Sequence, residues 1–402
     1  MEAILFLQDA LVLDQLIYAA GAALTRGREK ASAKGIEVST YSGPQIHAIA
    51  PEWRALEARH PRAGTAFQSC DLILAWERHF ASARNELRVI TVRRGGELVL
   101  VWPLAIETAI FGRMACWAGD PIGQYGDVIA AGGAARHEWI EAAFAEIGRQ
   151  DDIGFLCLRG LRADSAIAAW AARRGIALGS VAETPVLDTT AYDCLDGFLA
   201  EDWPLAKRNA KRMRKFDTLG GMTFEIVGPG PEAAALVANA FAFKREWLAA
   251  RGHYGRAFND RRMEECLMEF AGDASASSGL AVSHLAVNGE TAAIEIGFRR
   301  GGRHYAYMGT FAPDFAKHSP GFVVTELTIR DCVEQGIAEY DPLPPADDYK
   351  LAWSNARIAV HDYGIVLGWS GYLSLAVTAW ARPAAKKLFE RLPLKLRQKL
   401  RK

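Results

Sequence analysis

Residues 305–353 read YAYMGTFAPDFAKHSPGFVVTELTIRDCVEQGIAEYDPLPPADDYKLAW, and this stretch decides the fold. Residues 305–310 alternate in hydrophobicity and predict a strand that ends at Thr310 and leads into a short polar loop. Residues 322–335 have the length and pattern of a helix, which Gly336 stops. Residues 338–341 then predict another strand. This order of strand, helix and strand is typical of an α/β sheet.

The start of the predicted helix is the first candidate ligand site. Ser319 can cap the helix, Pro320 suits its first position, and Gly321 keeps side-chain bulk away. Free N–H groups there, together with the helix dipole, form an anion site suited to a pyrophosphate. An ordinary capped helix is the alternative interpretation.

The predicted elements occur in the same order in both halves of the chain. The first half contains strand 36–40, helices 43–59 and 71–80, strands 87–92, 98–106 and 114–118, helix 138–148 and strand 154–158. The second contains strand 223–227, helices 232–250 and 261–270, strands 280–287, 292–298 and 305–310, helix 322–335, and strands 338–341 and 357–366. Gly95-Gly96 and Asn288-Gly289 signal hairpins. We therefore expect two similar mixed α/β domains, residues 36–195 and 196–370, packed side by side.

Composition excludes several classes of protein. The 402 residues include 47 Lys plus Arg and 47 Asp plus Glu, so a general nucleic-acid binder is disfavoured. The six cysteines lack metal-ligand spacing and predict reduced thiols in a cytoplasmic protein without a metal. No GxSxG elbow, phosphate-binding P-loop or HExxH motif is present, which disfavours a serine hydrolase, a P-loop enzyme and a zinc protease.

The two ends of the chain differ from the rest. Residues 1–24 are apolar, but three acids interrupt them and no basic residue precedes them, and a polar linker follows at residues 26–35. We interpret residues 1–35 as a leader or a helical arm. The tail, residues 371–402, becomes basic at its end, where residues 382–402 hold nine Lys or Arg against one Glu. It predicts either peripheral contact with the inner membrane surface or a solvated basic tail.

A second basic cluster lies between the halves, with six Lys or Arg in residues 207–215. Helical spacing places Lys207, Lys211 and Arg214 together, either as a solvated face or as a contact for an anionic ligand or acceptor.

These segments together resemble a known family. The stretch KHSPGFVV, the strand with EYD, the following DDYKLAW and the basic KRNAKRMRKFDTLGG are similar to the cellulose-biosynthesis (CelD/BcsL-like) acetyltransferases of the GNAT superfamily. TAFQSCDLILAWERHF and QYGDVI extend the resemblance over residues 36–370, and it is strongest over 205–353. It implies two fused GNAT-like acyl-CoA N-acyltransferase domains, as in the FemABX peptidyltransferases, with acetyl-CoA or another acyl-CoA as donor.

The resemblance also implies roles for individual residues. The cofactor-facing turn corresponds to Ser319, Pro320 and Gly321, next to the strand end at Thr310 and Phe311. The family's D…YK constellation corresponds to Asp341, Tyr349 and Lys350. The usual pyrophosphate loop, Q/R-x-x-G-x-G/A, is absent, and this departure leaves aminoacyl-tRNA open as an alternative donor.

Direct acyl transfer needs an aligned acceptor, a base and an oxyanion donor. Asp341 is our first candidate for the base, with an Asp341–Lys350 ion pair as the structural alternative. Glu295, an acid on an apolar strand, is the second candidate. The strand 305–310 is expected to offer an oxyanion N–H if it splays from its neighbour.

The acceptor is the least defined part. Tyr307 and Asp127 are candidates for its pocket, whereas His284 and His304 are expected to be structural. We predict an acyltransferase acting on an amine or hydroxyl of a small molecule or carbohydrate, in exopolysaccharide or cell-envelope metabolism. A FemABX-type aminoacyltransferase and a non-catalytic scaffold of a polysaccharide-synthesis complex are the alternatives.

Overall fold

The computed structural model describes residues 35–201, 203–252, 256–274 and 279–381. Within these ranges fourteen strands form one mixed sheet. The strands are β1 Ile36–Ser42, β2 Asn85–Arg94, β3 Glu97–Ala109, β4 Gly112–Trp117, β5 Ile129–Ala130, β6 Ile153–Arg162, β7 Ile176–Ala177, β8 Ala182–Asp188, β9 Met222–Val227, β10 Leu280–Val287, β11 Glu290–Arg300, β12 Arg303–Phe311, β13 Glu339–Asp341 and β14 Ala356–Val366.

Twelve α-helices accompany these strands in the described ranges. They are α1 Gln45–Arg59, α2 Cys70–Phe80, α3 Arg136–Ile147, α4 Ala168–Arg174, α5 Leu195–Ala200, α6 Ala206–Thr218, α7 Pro231–Ala250, α8 Arg256–Asn259, α9 Arg261–Gly272, α10 Pro320–Glu334, α11 Asp348–Leu351 and α12 Trp369–Ala376. Three 3₁₀ turns, Ala66–Gln68, Thr189–Ala191 and Pro313–His318, and a π-helical turn, Val377–Ala381, complete the elements.

The sheet runs in the order β1-β2-β3-β4-β6-β14-β8-β13-β12-β11-β10-β9, with β5 beside β3 and β7 beside β14. Two strands cross between the halves of the chain. The late strand β14 lies between β6 and β8, and the early strand β8 pairs with β13 of the second half. The domain boundary expected at residue 195 divides the chain, but it does not divide the sheet, because strands from both sides of residue 195 pair with each other.

The mixed α/β class and the repeated order of elements are confirmed. Both hairpins form where their turn residues predict, because Gly95, Gly96, Asn288 and Gly289 all adopt the positive φ that such turns need. The strand β8 was not predicted. It contains Pro185, and a proline inside an apolar run argues against a strand when only the sequence is considered.

Strand β11 shows how the second half positions its site. Ile294 and Ile296 belong to the hydrophobic core that includes residues of α7 and α9. Ala293 packs with Val323 of α10, and Glu295 contacts the same helix through a threonine, so alternate residues face opposite layers. A carboxylate is thereby held under α10, within the sheet rather than at its edge.

The chain ends, the cysteines and possible metal or membrane segments were the remaining expectations. The predicted leader, residues 1–34, and the most basic part of the tail, residues 382–402, lie outside the described ranges. Four of the six cysteines are buried, and Cys194 is exposed. Across the described ranges no cluster of three or more His, Cys, Asp or Glu is arranged to hold a metal. No helix described is long and apolar enough to cross a membrane.

Candidate functional site

A cleft of about 480 Å³ opens where β12 and β13 separate. The two strands pair in parallel only through residues 303–305, whereas β12 stays paired with β11 as far as Phe311. Residues 306–311 thus present a backbone edge to the cleft, and the splay expected for this strand is present. Seven of the predicted site residues line the cleft, namely Glu295, Thr310, Phe311, Ser319, Gly321, Tyr349 and Lys350. A second groove, of about 660 Å³, lies on the outer side of α10 and contains none of them.

The backbone of β12 is irregular beside the cleft. Ile296 lies opposite Met308 but Gly297 lies opposite Ala306, so Tyr307 is an extra residue in a β-bulge. The carbonyl of Gly309 accepts a hydrogen bond from Lys244 Nζ at 3.3 Å. Because the N–H and C=O of one strand residue point to the same edge, the Gly309 N–H faces the cleft as well.

Glu295 is the acidic residue that lines this cleft. It is only 3% exposed. One carboxylate oxygen, Oε2, accepts hydrogen bonds from Thr325 Oγ1 at 3.2 Å and Tyr340 Oη at 3.1 Å. The other, Oε1, has no hydrogen bond and lies 3.5 Å from His304 Nε2. A buried carboxylate with one oxygen held and the other without a hydrogen bond is suited to accept a proton.

The ring of His304 supports Glu295 from behind. His304 Nδ1 accepts a hydrogen bond from Arg299 Nε at 3.2 Å, so the proton of the neutral ring is on Nε2, the nitrogen that faces Glu295. The ring stacks on Tyr340 with an interplanar angle of 7°. Arg299 is held in turn by an ion pair with Asp331. His304 is structural, as expected, but it orients a cleft residue.

The N-terminus of α10 forms the opposite wall. Ser319 adopts a left-handed conformation (φ 53°), and its side chain does not cap the helix, contrary to the expected role. Pro320 occupies the first helical position, as predicted. A side chain built at Gly321 would meet only Phe311, at 3.7 Å, so the helix start is open to the cleft. The first-turn N–H groups are therefore not covered by a capping hydroxyl.

Helix α6, the predicted basic helix, lies beside this helix start. Asn209 Nδ2 donates to the Phe322 carbonyl at 2.9 Å and to Glu326 Oε2 at 2.7 Å, and the Arg212 guanidinium lies 4.9 Å from the Phe322 ring centre. The opposite face of α6 is exposed and carries Lys207, Lys211 and Arg214. This basic surface flanks the cleft mouth rather than lining it.

Asp341, our first candidate for the base, has a different place in the structure. It is fully buried and accepts hydrogen bonds from Tyr125 Oη at 3.2 Å, Thr184 Oγ1 at 3.1 Å and the Leu343 N–H at 2.8 Å, besides an ion pair with Arg162. Every one of these groups is a donor, and the carboxylate does not line the cleft. The end of β13 is covered by β8 and β6 residues, a crossing that could not be inferred from local sequence.

The expected ion pair between Asp341 and Lys350 is replaced by an indirect connection. Lys350 Nζ donates to the carbonyls of Leu343 at 2.8 Å and Pro345 at 3.1 Å, and lies 3.9 Å from Asp347 Oδ2. Asp341 holds the N–H of Leu343 while Lys350 holds its C=O. Leu343 has a φ of 61°, an unfavourable conformation for leucine that these two bonds keep in place. Asp341 and Lys350 therefore anchor the loop after β13, whose Pro342 lines the cleft.

Two predicted acceptor residues also lie elsewhere. Asp127 is buried and accepts hydrogen bonds from the N–H groups of Val128, Ala166 and Ile167, so it fixes the entry to α4. Burial raises the pKa of Asp127 to about 6, against the opposing effect of these bonds. Tyr307 does not line the cleft but packs against Phe298, with ring centres 5.3 Å apart.

The sequence analysis missed three cleft residues on α7 and at its C-terminal cap. Lys244, Trp247 and Arg251 line the side of the cleft opposite α10. The Arg251 guanidinium lies 4.1 Å from the Trp247 ring centre. Burial lowers the pKa of Lys244, and the nearby Lys350 ammonium lowers it further. Their spacing of three and four residues was the available signal, because it places all three on one helical face.

Comparisons with known proteins bear on the fold. Residues 206–351 match the family model described as an acetyltransferase (GNAT) domain. FemX has a similar structure, with a TM-score of 0.56 at 11% identity, covering 85% of this chain and 100% of that chain. A conserved protein of unknown function from Bacteroides thetaiotaomicron gives 0.50 at 10% identity, covering 79% and 97%. A tandem GNAT protein from the clavulanic acid biosynthesis pathway gives 0.43 at 16% identity, covering 83% and 99%. No protein of curated function matches the chain.

The fold is therefore that of two GNAT-like α/β domains, and the cleft lies within the part that matches the GNAT acetyltransferase model. None of these matches tests the narrower resemblance to the cellulose-biosynthesis family, so that resemblance stays a prediction.

Proposed function

We propose that the cleft between β12 and β13 transfers an acyl group from acyl-CoA to an amine or hydroxyl of a small or carbohydrate acceptor. One observation carries this proposal: a single space holds a buried carboxylate, an unpaired strand edge and an open helix N-terminus. These are the three groups that direct acyl transfer requires, namely a base, an oxyanion donor and an anion site.

Glu295 is the proposed base. Its held oxygen, Oε2, fixes the carboxylate plane, and its other oxygen, Oε1, is buried without a hydrogen bond and is the atom assigned to accept the proton of the attacking amine or hydroxyl. His304 Nε2 lies 3.5 Å from Oε1 and helps to orient the carboxylate. Asp341 has no part in this step, because its oxygens are already occupied by buried donors.

The unpaired edge of β12 supplies the proposed oxyanion donor. The Gly309 N–H faces the cleft and does not need to reorganise to donate a hydrogen bond to the acyl carbonyl oxygen as negative charge develops there. Lys244 holds the carbonyl of the same residue and so fixes the peptide orientation.

The chain's residues fit the phosphates of CoA at the start of α10. Gly321 leaves room for a ligand against the helix N-terminus, and the flanking face of α6 adds positive charge. When bound, acyl-CoA would supply the activated acyl thioester. On the other side, Lys244, Trp247 and Arg251 offer an aromatic ring and two cations to the acceptor. A place in exopolysaccharide or cell-envelope metabolism rests on the sequence resemblance alone.

Thermal unfolding with and without acetyl-CoA tests the donor. Ligand at about 100 times its dissociation constant stabilises the folded state by about 2.7 kcal/mol. The variant Gly321→Trp should abolish this shift, whereas Gly321→Ala, whose methyl group fits 3.7 Å from Phe311, should retain it. A shift with aminoacyl-tRNA but not with any acyl-CoA would favour a FemABX-type reaction instead. No shift with either would favour the scaffold.

Turnover tests the base. Replacing Glu295 by Gln should lower the rate by about 10²–10⁴-fold at neutral pH, the usual contribution of a general base. Glu290→Gln is the matched control, because Glu290 is an exposed carboxylate on the same strand. Equal rates for the two variants would remove Glu295 from the mechanism.

A further inference from the structure

We propose that the protein binds the surface of an anionic lipid bilayer through an apolar patch formed by the β3–β4 turn and α12. The patch consists of Ile110 and Phe111, in the turn between β3 and β4, and Trp369, Leu373 and Trp380, in α12 and the turn that follows it. This proposal is independent of the acyl-transfer site.

The patch residues are unusually exposed for their type. Ile110 and Trp369 are each 82% exposed, and Leu373 and Trp380 are 51% and 48% exposed. Five of the nine large hydrophobic side chains exposed in the described ranges belong to these two segments. Exposed apolar residues that cluster in this way mark an interaction surface, whereas scattered ones do not.

The two segments are neighbours in space. A side chain at Gly112, directly after Phe111, would lie 3.2 Å from Ser370 Oγ, directly after Trp369. Gly154 of β6 lies against the same serine, which fixes α12 across the end of β4 and β6. The tip of the hairpin and the start of the helix thus form one surface.

Helix α12 is apolar on both sides. Gly371, Ser374 and Leu375 face the sheet and are buried, while Trp369 and Leu373 point away from it. Residues 363–381 contain no charged side chain at all. A surface helix of a water-facing protein normally carries polar residues on its outer side. This helix has eight residues, so it suits a position along a bilayer surface and not one across the bilayer.

The sequence after the patch identifies the kind of partner. Residues 382–402 follow directly and hold nine Lys or Arg against one Glu, a net charge of 9 − 1 = +8. Basic segments next to interfacial Trp and Leu side chains are the combination that anionic lipids attract. A second copy docked through the same patch would bring two such basic segments together, and their repulsion disfavours a dimer.

Vesicle binding tests the proposal with the full-length protein. We expect sedimentation with vesicles of 70% phosphatidylcholine and 30% phosphatidylglycerol, and about tenfold or more weaker binding to pure phosphatidylcholine. The double variant Ile110→Ser/Trp369→Ser should lower binding to the anionic vesicles by about tenfold or more, since it removes the two most exposed apolar side chains. Val181→Ser is the matched control, because Val181 is 57% exposed but lies outside the patch.

Three results would overturn the proposal. The first is no binding of the wild-type protein to anionic vesicles. The second is equal binding by the wild type and the double variant, which would leave the basic segment as the whole attraction. The third is a wild-type dimer in sedimentation velocity that the double variant converts to a monomer, which would assign the patch to self-association. Circular dichroism of both variants checks that they fold.

Discussion

Neutralising the two buried carboxylates should have opposite effects. Asp341→Asn should lower the stability but not the turnover, and Glu295→Gln should lower the turnover with little effect on stability. Asp341 is fully buried and opposes Arg162, whose side chain is 2% exposed. Replacing it by Asn leaves the guanidinium with Asp164 and Glu339 as its remaining ion pairs. Glu295 has no ion pair with Lys or Arg among the described residues, and its two firm contacts are hydroxyl donors that a glutamine oxygen can also accept.

The magnitudes follow from these contacts. Removing one partner of a buried ion pair costs about 3–5 kcal/mol, because the other charge stays buried. Because Arg162 keeps Asp164 and Glu339, Asp341→Asn should lower the free energy of unfolding by less than that, by about 2–3 kcal/mol, and Glu295→Gln by about 1 kcal/mol. Thr184→Val, which deletes one neutral donor to Asp341, should fall between them at about 1–2 kcal/mol.

Urea unfolding followed by tryptophan fluorescence measures these differences, and turnover per folded molecule separates stability from chemistry. We expect Asp341→Asn to keep its turnover under conditions where it is folded, and Glu295→Gln to lose it. If Asp341→Asn stays within about 1 kcal/mol of the wild type but loses turnover about 100-fold, Asp341 is the base after all and the argument from its buried donors is wrong.

Two further predictions concern groups whose environment is well defined. Gly297→Ala places a methyl group 2.5 Å from the His304 ring, so the ring must shift relative to Glu295. We expect a loss of about 1–3 kcal/mol in urea unfolding and a shifted pH–rate profile, and an unchanged profile would contradict the positioning role of His304. Burial raises the pKa of Asp127 from its ordinary 3.8 to about 6, so the native state holds this proton more tightly than the unfolded state does. That contribution to stability is present at low pH and is lost as the pH rises through 6, so between pH 5 and pH 7.5 the wild type should lose about 1 kcal/mol relative to Asp127→Asn. A difference between the two that does not change with pH would contradict the raised pKa.

The site was predictable to the extent that it depends on residues close in sequence. The strand ending at Thr310, the turn at Pro320-Gly321 and the helix after it form one local unit, and the structure places them as predicted. Glu295 could be noticed because a carboxylate interrupts an apolar strand. The alternation of β11 then directs that side chain under α10.

The role of Asp341 was not predictable in this way. Its partners Tyr125, Arg162 and Thr184 are 216, 179 and 157 residues away along the chain. A residue at the end of a parallel strand is expected to face an open cleft, and β8 closes this one. The same limit applies to Lys244 and Trp247, whose helix had to be docked beside β12 before their common target was visible.

The sequence by itself determined the elements that recur in both halves, their order and both hairpins, because hydrophobic period, helix stops and turn residues act over a few neighbouring positions. It also determined the excess of basic residues over residues 382–402. Only the tertiary structure decided that β14 and β8 cross between the halves, that Asp341 is a buried structural anion and that Glu295 faces the cleft. Those outcomes depend on which strands become neighbours, and strand pairing between distant segments leaves little trace in local sequence.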